Sequence, residues 1–121
     1  MSVPLLICDD SNMARKQVAR ALPPGWEVDI TFATNGVEGL QAIRDGKGEI
    51  VFLDLTMPEM DGYTVLEHVK AEGLKCIVIV ISADIQPEAR ERVLKSGALE
   101  FIKKPIDSEK LMAVLQQYGL Y

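Results

Sequence analysis

The sequence predicts an α/β domain built on a doubly wound, five-stranded parallel sheet with five helices. Short apolar runs rich in Val, Ile, Leu and Phe alternate with amphipathic stretches, which is typical of parallel strands buried on both faces. Glycine, proline and capping residues stand where the helices of such a pattern should begin and end. Five strand–helix units of this kind imply right-handed crossovers and helices on both faces of one sheet.

Five apolar runs predict the strands. All of them are short, and most are rich in the residues expected of strands that are covered on both sides. In chain order, the predicted strands are Val3–Cys8, Val28–Ala33, Ile50–Leu55, Cys76–Ile81 and Leu99–Ile102.

The stretches between these runs place apolar residues on one helical face. In the first three helices these residues are Ala14, Val18, Ala21 and Leu22, then Val37, Leu40 and Ile43, then Val65, Leu66 and Val69. The fourth helix is expected to run from Pro87 to about Ser96. The fifth begins near Asp107, and its inward residues are expected to be Leu111, Val114, Leu115 and Tyr118.

Local signals support these helix boundaries. Asn35 followed three residues later by Glu38 fits a capping box, and Pro87 fits the first turn of a helix. Gly46, Gly73 and Gly97 stand where the second, third and fourth helices should stop.

The composition describes one ordinary globular domain covering residues 1–121, with 48% hydrophobic and 26% charged residues. Thirteen Lys and Arg residues against eighteen Asp and Glu give a net charge of −5, which argues against a nucleic-acid or anionic membrane surface. No apolar run approaches the ~20 residues of a membrane span, and the start lacks the features of a signal peptide. The expected location is therefore the cytoplasm.

Cysteine and histidine give no metal or disulfide pattern. Cys8 and Cys76 have no partner at metal-ligand spacing, so both are expected to be small buried thiols in a reducing compartment. His68 is the only histidine and is expected to be solvated on its helix; one histidine cannot supply a zinc site.

Charged and polar residues follow four of the predicted strands. The buried run "VFLDL" contains Asp54, although an unpaired carboxylate in a core costs several kcal/mol. Polar residues also follow the other strands: Asp9 and Asp10, then Ser82, then Lys104 with Pro105. In open α/β sheets the working site lies at the carboxyl ends of the strands. We therefore expect these groups to share one crevice.

The chemistry of this set points to a divalent cation and a phosphoryl group. Three carboxylates and one ammonium group leave two net negative charges, and hard oxygen ligands of this kind suit Mg²⁺. Asp54 could then act as a carboxylate nucleophile that forms an aspartyl phosphate. Lys104 would offset charge on the transferring group, and Ser82 offers a hydroxyl donor to a phosphoryl oxygen.

The segments "LLICDDS", "FLDLTMPEMDG", "VIVISA" and "FIKKPID" together resemble the response-regulator receiver domain, the CheY-like, flavodoxin-like fold of two-component signalling. The resemblance spans essentially the whole chain and implies the strand order 2-1-3-4-5. It implies that Asp9, Asp10 and Asp54 hold Mg²⁺ together with the backbone carbonyl of Thr56, and that Asp54 is the phosphoacceptor.

The resemblance also implies the remaining parts of a phosphorylation switch. Ser82 becomes the switch hydroxyl, Lys104 the phosphoryl-binding lysine and Phe101 the switch aromatic, and the Lys104–Pro105 peptide is expected to be cis. The implied partners are a sensor histidine kinase and a downstream target protein or fused output domain, with no direct binding to nucleic acid or membrane. The signalling surface would be the fourth helix, fifth strand and fifth helix. Such a chain is a signalling phosphoacceptor, as in chemotaxis pathways, and not an enzyme in its own right.

Several alternatives stay open at this point. A degenerate receiver that serves only as an interaction module should lack one of the five polar groups, and none is missing here. A flavodoxin-like FMN carrier needs a phosphate-cradling loop where Asp9 and Asp10 stand. A metal-dependent phosphatase with an Asp nucleophile typically carries a second Asp where this chain has Thr56. Phe101 also suits ordinary core packing, and it lacks the ring hydroxyl that many receivers carry at this position.

Overall fold

The computed structural model describes residues 2–83 and 86–121, and strands and helices alternate strictly along them. The elements are β1 Val3–Cys8, α1 Asn12–Ala21, β2 Val28–Ala33, α2 Gly36–Arg44, β3 Ile50–Leu53, α3 Gly62–Ala71, β4 Ile77–Ser82, α4 Pro87–Lys95, β5 Glu100–Lys103 and α5 Ser108–Gln117. The strands form one parallel sheet in the order β2-β1-β3-β4-β5. This confirms the predicted fold class and strand order.

The central strands bury both of their faces, because helices cover the sheet on each side. Side chains such as Leu6, Leu53 and Val80 point into a core closed by α2, α3 and α4. Their neighbours along the strands, including Phe52 and Ile79, point into a second core closed by α1 and α5. Each fully buried side chain of this size stabilises the fold by about 1.5–3 kcal/mol. The two cores fix the plane of the sheet and therefore the position of its carboxyl edge.

The helix boundaries follow from local chemistry, as predicted. The side chain of Asn35 accepts a hydrogen bond from the Glu38 backbone N–H at 2.8 Å, and Pro87 occupies the first turn of α4. The carboxylate of Glu38 accepts hydrogen bonds from both the backbone N–H and the hydroxyl of Thr34. The return bond of the capping box is therefore made to Thr34, one residue before the N-cap. Similar side-chain caps begin the helices after Ser11, Asp61 and Asp107.

Left-handed glycines end three of the helices at the predicted residues. Gly46, Gly73 and Gly97 have φ values of 78°, 64° and 104°, which residues with a Cβ rarely adopt. Gly119, with φ 69°, ends α5 in the same way.

Some predicted details of the strands are wrong. β3 ends at Leu53 and not at Leu55, so Asp54 is the first residue after the strand. β4 begins one residue later than predicted and includes Ser82, and β5 is shifted by one residue to Glu100–Lys103. Pairing with the neighbouring parallel strand determines these ends. A strand ends where its backbone no longer forms ladder hydrogen bonds with that neighbour.

Two side chains predicted to face inward do not. Val37 is 47% exposed, because it lies in the first turn of α2 beside Phe32 on the outer strand β2, where no further strand covers it. Tyr118 follows the last residue of α5 and is 36% exposed. Its hydroxyl donates to Glu100 of β5 at 3.1 Å and so stays at the surface.

The remaining sequence expectations are met in part. Cys8 is buried and Cys76 is half-buried, and both are free thiols. His68 lies on α3 with its Nδ1 3.3 Å from Glu72, at the surface. Within residues 2–83 and 86–121, no helix combines the length and apolar character that crossing a membrane requires.

Two glycines bring loops and helices close to the carboxyl edge of the sheet. The N–H of Gly62 donates to the Leu55 carbonyl at 3.0 Å. A Cβ on Gly62 would overlap the carbonyl oxygen of Asp54, and a Cβ on Gly36 would overlap the carbonyl oxygen of Met60. Only glycine therefore lets the first turn of α3 pack directly against the backbone of Asp54.

We predict that Gly62→Ala destabilises the protein by about 1–3 kcal/mol, because the methyl group must displace backbone atoms that cannot turn away. Urea unfolding of the variant measures this loss. Glu67→Ala, at an exposed position of the same helix, is the matched control and should change the unfolding free energy by less than about 0.5 kcal/mol. Equal stability of Gly62→Ala and the control would contradict the packing described here.

Candidate functional site

Three charged residues stand immediately after β1, β3 and β5, and a backbone hydrogen bond holds each of them. The N–H of Asp9 donates to Ala33 at 3.1 Å, and the N–H of Asp54 donates to Cys8 at 2.9 Å. The N–H of Lys104 donates to Ser82 at 2.8 Å. Each of these bonds continues a parallel ladder by one step. The sheet itself therefore aims the three side chains into one crevice.

Asp9, Asp10 and Asp54 form an acidic cluster at this edge. One carboxylate oxygen of each residue lies within 4.8 Å of the others. Asp9 is 4% exposed and Asp54 is 7% exposed, whereas Asp10 is open to solvent. The three carboxylates that the sequence predicted to meet are thus brought together, two of them buried and one at the rim.

Lys104 compensates part of this buried charge. Its Nζ lies 2.8 Å from Asp9 Oδ2 and 3.5 Å from Asp54 Oδ1. The other Asp9 oxygen accepts a hydrogen bond from the backbone N–H of Ser11 at 2.9 Å. Asp9 is therefore held on both carboxylate oxygens, while Asp54 has a more distant ammonium contact.

The charges shift the ionisation of two groups in the crevice. Burial, and next the charge of Asp9, raise the pKa of Asp54, although Lys104 partly offsets them. Burial disfavours the charged amine of Lys104, but the hydrogen bond to Asp9 and the charges of both carboxylates raise the pKa of Lys104. The cluster therefore combines the ammonium group of Lys104, whose charged form is favoured, with the carboxyl group of Asp54, whose charged form is disfavoured.

The other predicted site residues lie around the cluster. Ser82 is buried at the end of β4; the register pairs Leu53 with Val80, so Ser82 and Asp54 lie at the same edge of the sheet. Thr56 is exposed in the loop after β3. Phe101 is half-buried on β5 and packs against the core under α2, α3 and α4. The Lys104–Pro105 peptide bond is cis.

The sequence analysis did not single out Arg15, which also holds this edge. Its Nη1 donates to the backbone carbonyl of Asp9 at 2.6 Å, and its Nη2 donates to Asn12 at 3.3 Å. The available signal was an arginine one turn into the helix that follows the acidic pair. Arg15 ties α1 to the loop that carries both carboxylates and adds positive charge beside them.

The donor set fits Mg²⁺. The cluster offers carboxylate oxygens only, which are the hard ligands that Mg²⁺ prefers, and its rim at Asp10 leaves room for water or a phosphoryl oxygen. Three carboxylates and Lys104 leave two net negative charges, which one divalent cation balances.

The comparisons with known proteins agree with this fold. The family model of the response regulator receiver domain matches residues 5–116, so the chain belongs to the response regulator receiver family of two-component signalling. This membership removes the flavodoxin and phosphatase alternatives. A receiver is a signalling domain, and enzymatic activity in some relatives resides in fused domains.

Individual relatives support the same assignment. The chain is 38% identical over 91% of its length to protein-glutamate methylesterase/protein-glutamine glutaminase 3 of Geobacter sulfurreducens, of which it covers 30%. It resembles the receiver domain of the putative response regulator NarL from Mycobacterium tuberculosis with TM-score 0.86 and 28% identity, covering 98% of this chain and 97% of that one. It also resembles a chain of the CheX–CheY–BeF3–Mg complex from Borrelia burgdorferi, with TM-score 0.86 and 31% identity over 97% and 89% of the two chains. The chain spans only 26% to 39% of the length of the first curated relatives it matches.

We predict that Asp54→Asn raises the free energy of unfolding in the absence of added cation. The pKa of Asp54 is raised in the folded state, so its charge costs stability above that pKa, and the cost falls as the pH falls through it. The advantage of the variant should therefore shrink in acid. Urea unfolding at several pH values measures it.

Asp10→Asn is the matched control, because the exposed Asp10 carboxylate carries little desolvation cost. Its unfolding free energy without cation should stay close to that of the wild-type protein. Adding Mg²⁺ should stabilise the wild-type protein more than either variant. A less stable Asp54→Asn variant at neutral pH would contradict the electrostatics described above.

Proposed function

We propose that this receiver is a phosphorylation-activated switch that accepts a phosphoryl group from a histidine kinase onto Asp54. The observation that carries the proposal is the buried Asp54 carboxylate, which lies 3.5 Å from the Lys104 ammonium group and in the same cluster as Asp9 and Asp10. A nucleophile, a cation-binding pair and a phosphate-binding amine thus share one crevice.

Asp9, Asp10, Asp54 and the backbone carbonyl of Thr56 would hold Mg²⁺, which when bound supplies positive charge opposite the oxygens of the transferring phosphoryl group. Proximity supports this ligand set for the three carboxylates, whose oxygens lie within 4.8 Å of one another. The resemblance to receivers supports the role of Thr56.

In the transfer step, a carboxylate oxygen of Asp54 attacks the phosphorus atom of the donor. The new bond is an O–P bond to Asp54, and the bond that breaks joins phosphorus to the imidazole nitrogen of a phosphohistidine. The ammonium group of Lys104 is already beside Asp54 and would contact a phosphoryl oxygen. Most catalysis of phosphoryl transfer consists of this positioning and charge compensation.

The phosphoryl group then offers Ser82 a charged acceptor. It adds roughly −1.5 to −2 of charge at Asp54, and a hydrogen bond to such an acceptor contributes about 1.5–3 kcal/mol. Movement of Ser82 toward it would open space beside β4, into which the half-buried Phe101 could turn. Full burial of a Phe ring is worth about 1.5–3 kcal/mol, so the two terms together are large enough to reverse a two-state equilibrium.

The surface that would change is formed by α4, β5 and α5. Glu100 of β5 contacts side chains from both helical segments. Arg90 of α4 lies 2.8 Å from one Glu100 oxygen, and the Tyr118 hydroxyl donates to the other at 3.1 Å. A rotation of the neighbouring Phe101 would change the side-chain surface of β5 next to this junction. A partner protein that contacts the surface could therefore distinguish the two states.

The partners follow from the same proposal. A sensor histidine kinase would supply the phosphoryl group, and a target protein or a fused output domain would read the altered surface. The chain resembles transcriptional regulatory proteins as well as a chain of a CheX–CheY complex, so the comparisons are compatible with either a fused output domain or a separate target protein. A net charge of −5 disfavours direct binding of nucleic acid, and two free thiols suit the cytoplasm.

We predict that the wild-type protein becomes phosphorylated once per chain when it is given Mg²⁺ and acetyl phosphate. EDTA should block the reaction because the carboxylates then lack their cation, and Asp54→Asn should abolish it. Intact-mass analysis measures the product. Glu59→Gln, an exposed acid in the same loop, is the control and should still be phosphorylated. A wild-type protein that binds Mg²⁺ but never gains a phosphoryl group would instead be a degenerate receiver.

We predict that Ser82→Ala keeps phosphorylation at Asp54 but uncouples it from the surface of α4, β5 and α5. The variant retains the nucleophile and Lys104 and loses only the hydroxyl that would follow the phosphoryl group. Backbone amide shifts of α4 and the Phe101 ring shifts, with and without Mg²⁺ and beryllofluoride, measure the coupling. They should move in the wild-type protein and much less in Ser82→Ala. Unchanged shifts in the wild-type protein would rule out this switch.

A further inference from the structure

A second cavity lies at the opposite edge of the sheet from Asp54. Its walls come from the ends of α3 and α4 and from the beginning of β4, and its volume is about 320 Å³. Ligand pockets in proteins span roughly 300–1,000 Å³, so this cavity suits only a small molecule. None of the residues assigned above to phosphoryl transfer lines it.

The floor of this cavity is apolar and reaches the protein core. Leu66 and Val78 are buried members of the core under α2, α3 and α4, and Leu74 packs against the same core. Cys76 also lines the cavity, and burial raises the pKa of its thiol. An apolar group bound here would be transferred from water to an apolar surface that is continuous with the core, which is favourable.

The charged residues around the cavity are all cations. Lys70 of α3 and Lys95 of α4 line it, and no Asp or Glu does among the described residues. Neither lysine has a carboxylate within 4.0 Å in the parts of the chain that the structure describes. Both lysines are exposed, so their ammonium groups stand at the border of the apolar floor. Their charge complements an anion.

We propose that this cavity, formed by Leu66, Leu74, Val78 and the Lys70–Lys95 pair, binds a small amphipathic anion such as an alkyl or aryl carboxylate. The apolar body would lie on the floor, and the anionic head group would lie between the two ammonium groups. Ligands of this class combine a hydrophobic contact with a small number of polar contacts that fix orientation. The site is independent of phosphoryl transfer, and it contacts the core on which α4 rests.

The half-buried thiol of Cys76 provides a direct probe of occupancy. Iodoacetamide, which is uncharged, should alkylate Cys76 slowly in the folded wild-type protein and should leave the buried Cys8 unmodified. Cys76→Ser should remove the reaction and so identify the thiol. Octanoate should slow the modification in a saturable manner. Octylammonium, which has the same tail and the opposite charge, should not.

The lysines are tested with a pair of charge-matched double variants. Lys70→Gln with Lys95→Gln should weaken protection by octanoate about fivefold, as expected for the loss of two exposed charge contacts. Lys16→Gln with Lys103→Gln makes the same change of net charge away from the cavity and should leave protection unchanged. Both double variants should accept phosphate from acetyl phosphate like the wild-type protein.

The outcomes separate the proposal from its simpler alternatives. Equal protection by octanoate and octylammonium would show a charge-independent apolar contact and would overturn the proposal. Absence of protection by either compound would overturn it as well, and so would equal loss of protection in the two double variants. In those cases Lys70 and Lys95 serve only to stabilise the carboxyl ends of their helices.

Discussion

The carboxyl edge of this sheet depends on a balance of charge, because Asp9 and Asp54 are almost completely withdrawn from water and, among the described residues, Lys104 alone brings an ammonium group within 4.0 Å of them. A buried carboxylate without compensation costs several kcal/mol, so Lys104 must reach this edge for the fold to tolerate them. The parallel ladder provides that placement, since each of the three residues is the first after its strand. Gly62 provides the space by letting α3 begin against the backbone of Asp54. A protein that needed only stability would place apolar residues here, so the retained charge is consistent with the proposed cation site.

Much of this arrangement could be predicted from local sequence. Strands such as β1 and β4 have near-continuous apolar runs, and their alternation with amphipathic helices is strong enough to give the architecture. Caps such as Asn35 act within three residues, so the sequence shows them directly. The meeting of Asp9, Asp10 and Asp54 was predictable because the topology places all strand ends at one edge. The strand order itself came from the family resemblance and not from the periodicity.

The features that sequence reasoning missed depend on contacts between distant segments. Arg15 bonds to a backbone carbonyl, which leaves no pattern of side chains to read. Val37 lies on the expected face of α2, but β2 is the outer strand and nothing covers that turn. Tyr118 has an apolar ring at the spacing of the inward face of α5, but the helix ends one residue before it. Its hydroxyl donates a hydrogen bond to Glu100, which keeps the ring at the surface. Periodicity describes one element at a time and does not state what lies opposite each residue.

Glu100 has a mechanical consequence. One of its carboxylate oxygens contacts Arg90 of α4, and the other accepts a hydrogen bond from Tyr118 at the end of α5. Among the described residues, no such bond joins the two helices directly, so β5 connects them. A displacement of Glu100 would therefore act on the Arg90 and Tyr118 contacts at the same time. Under the proposed function, a partner protein bound across α4 and the end of α5 would contact two segments that respond to one residue of β5.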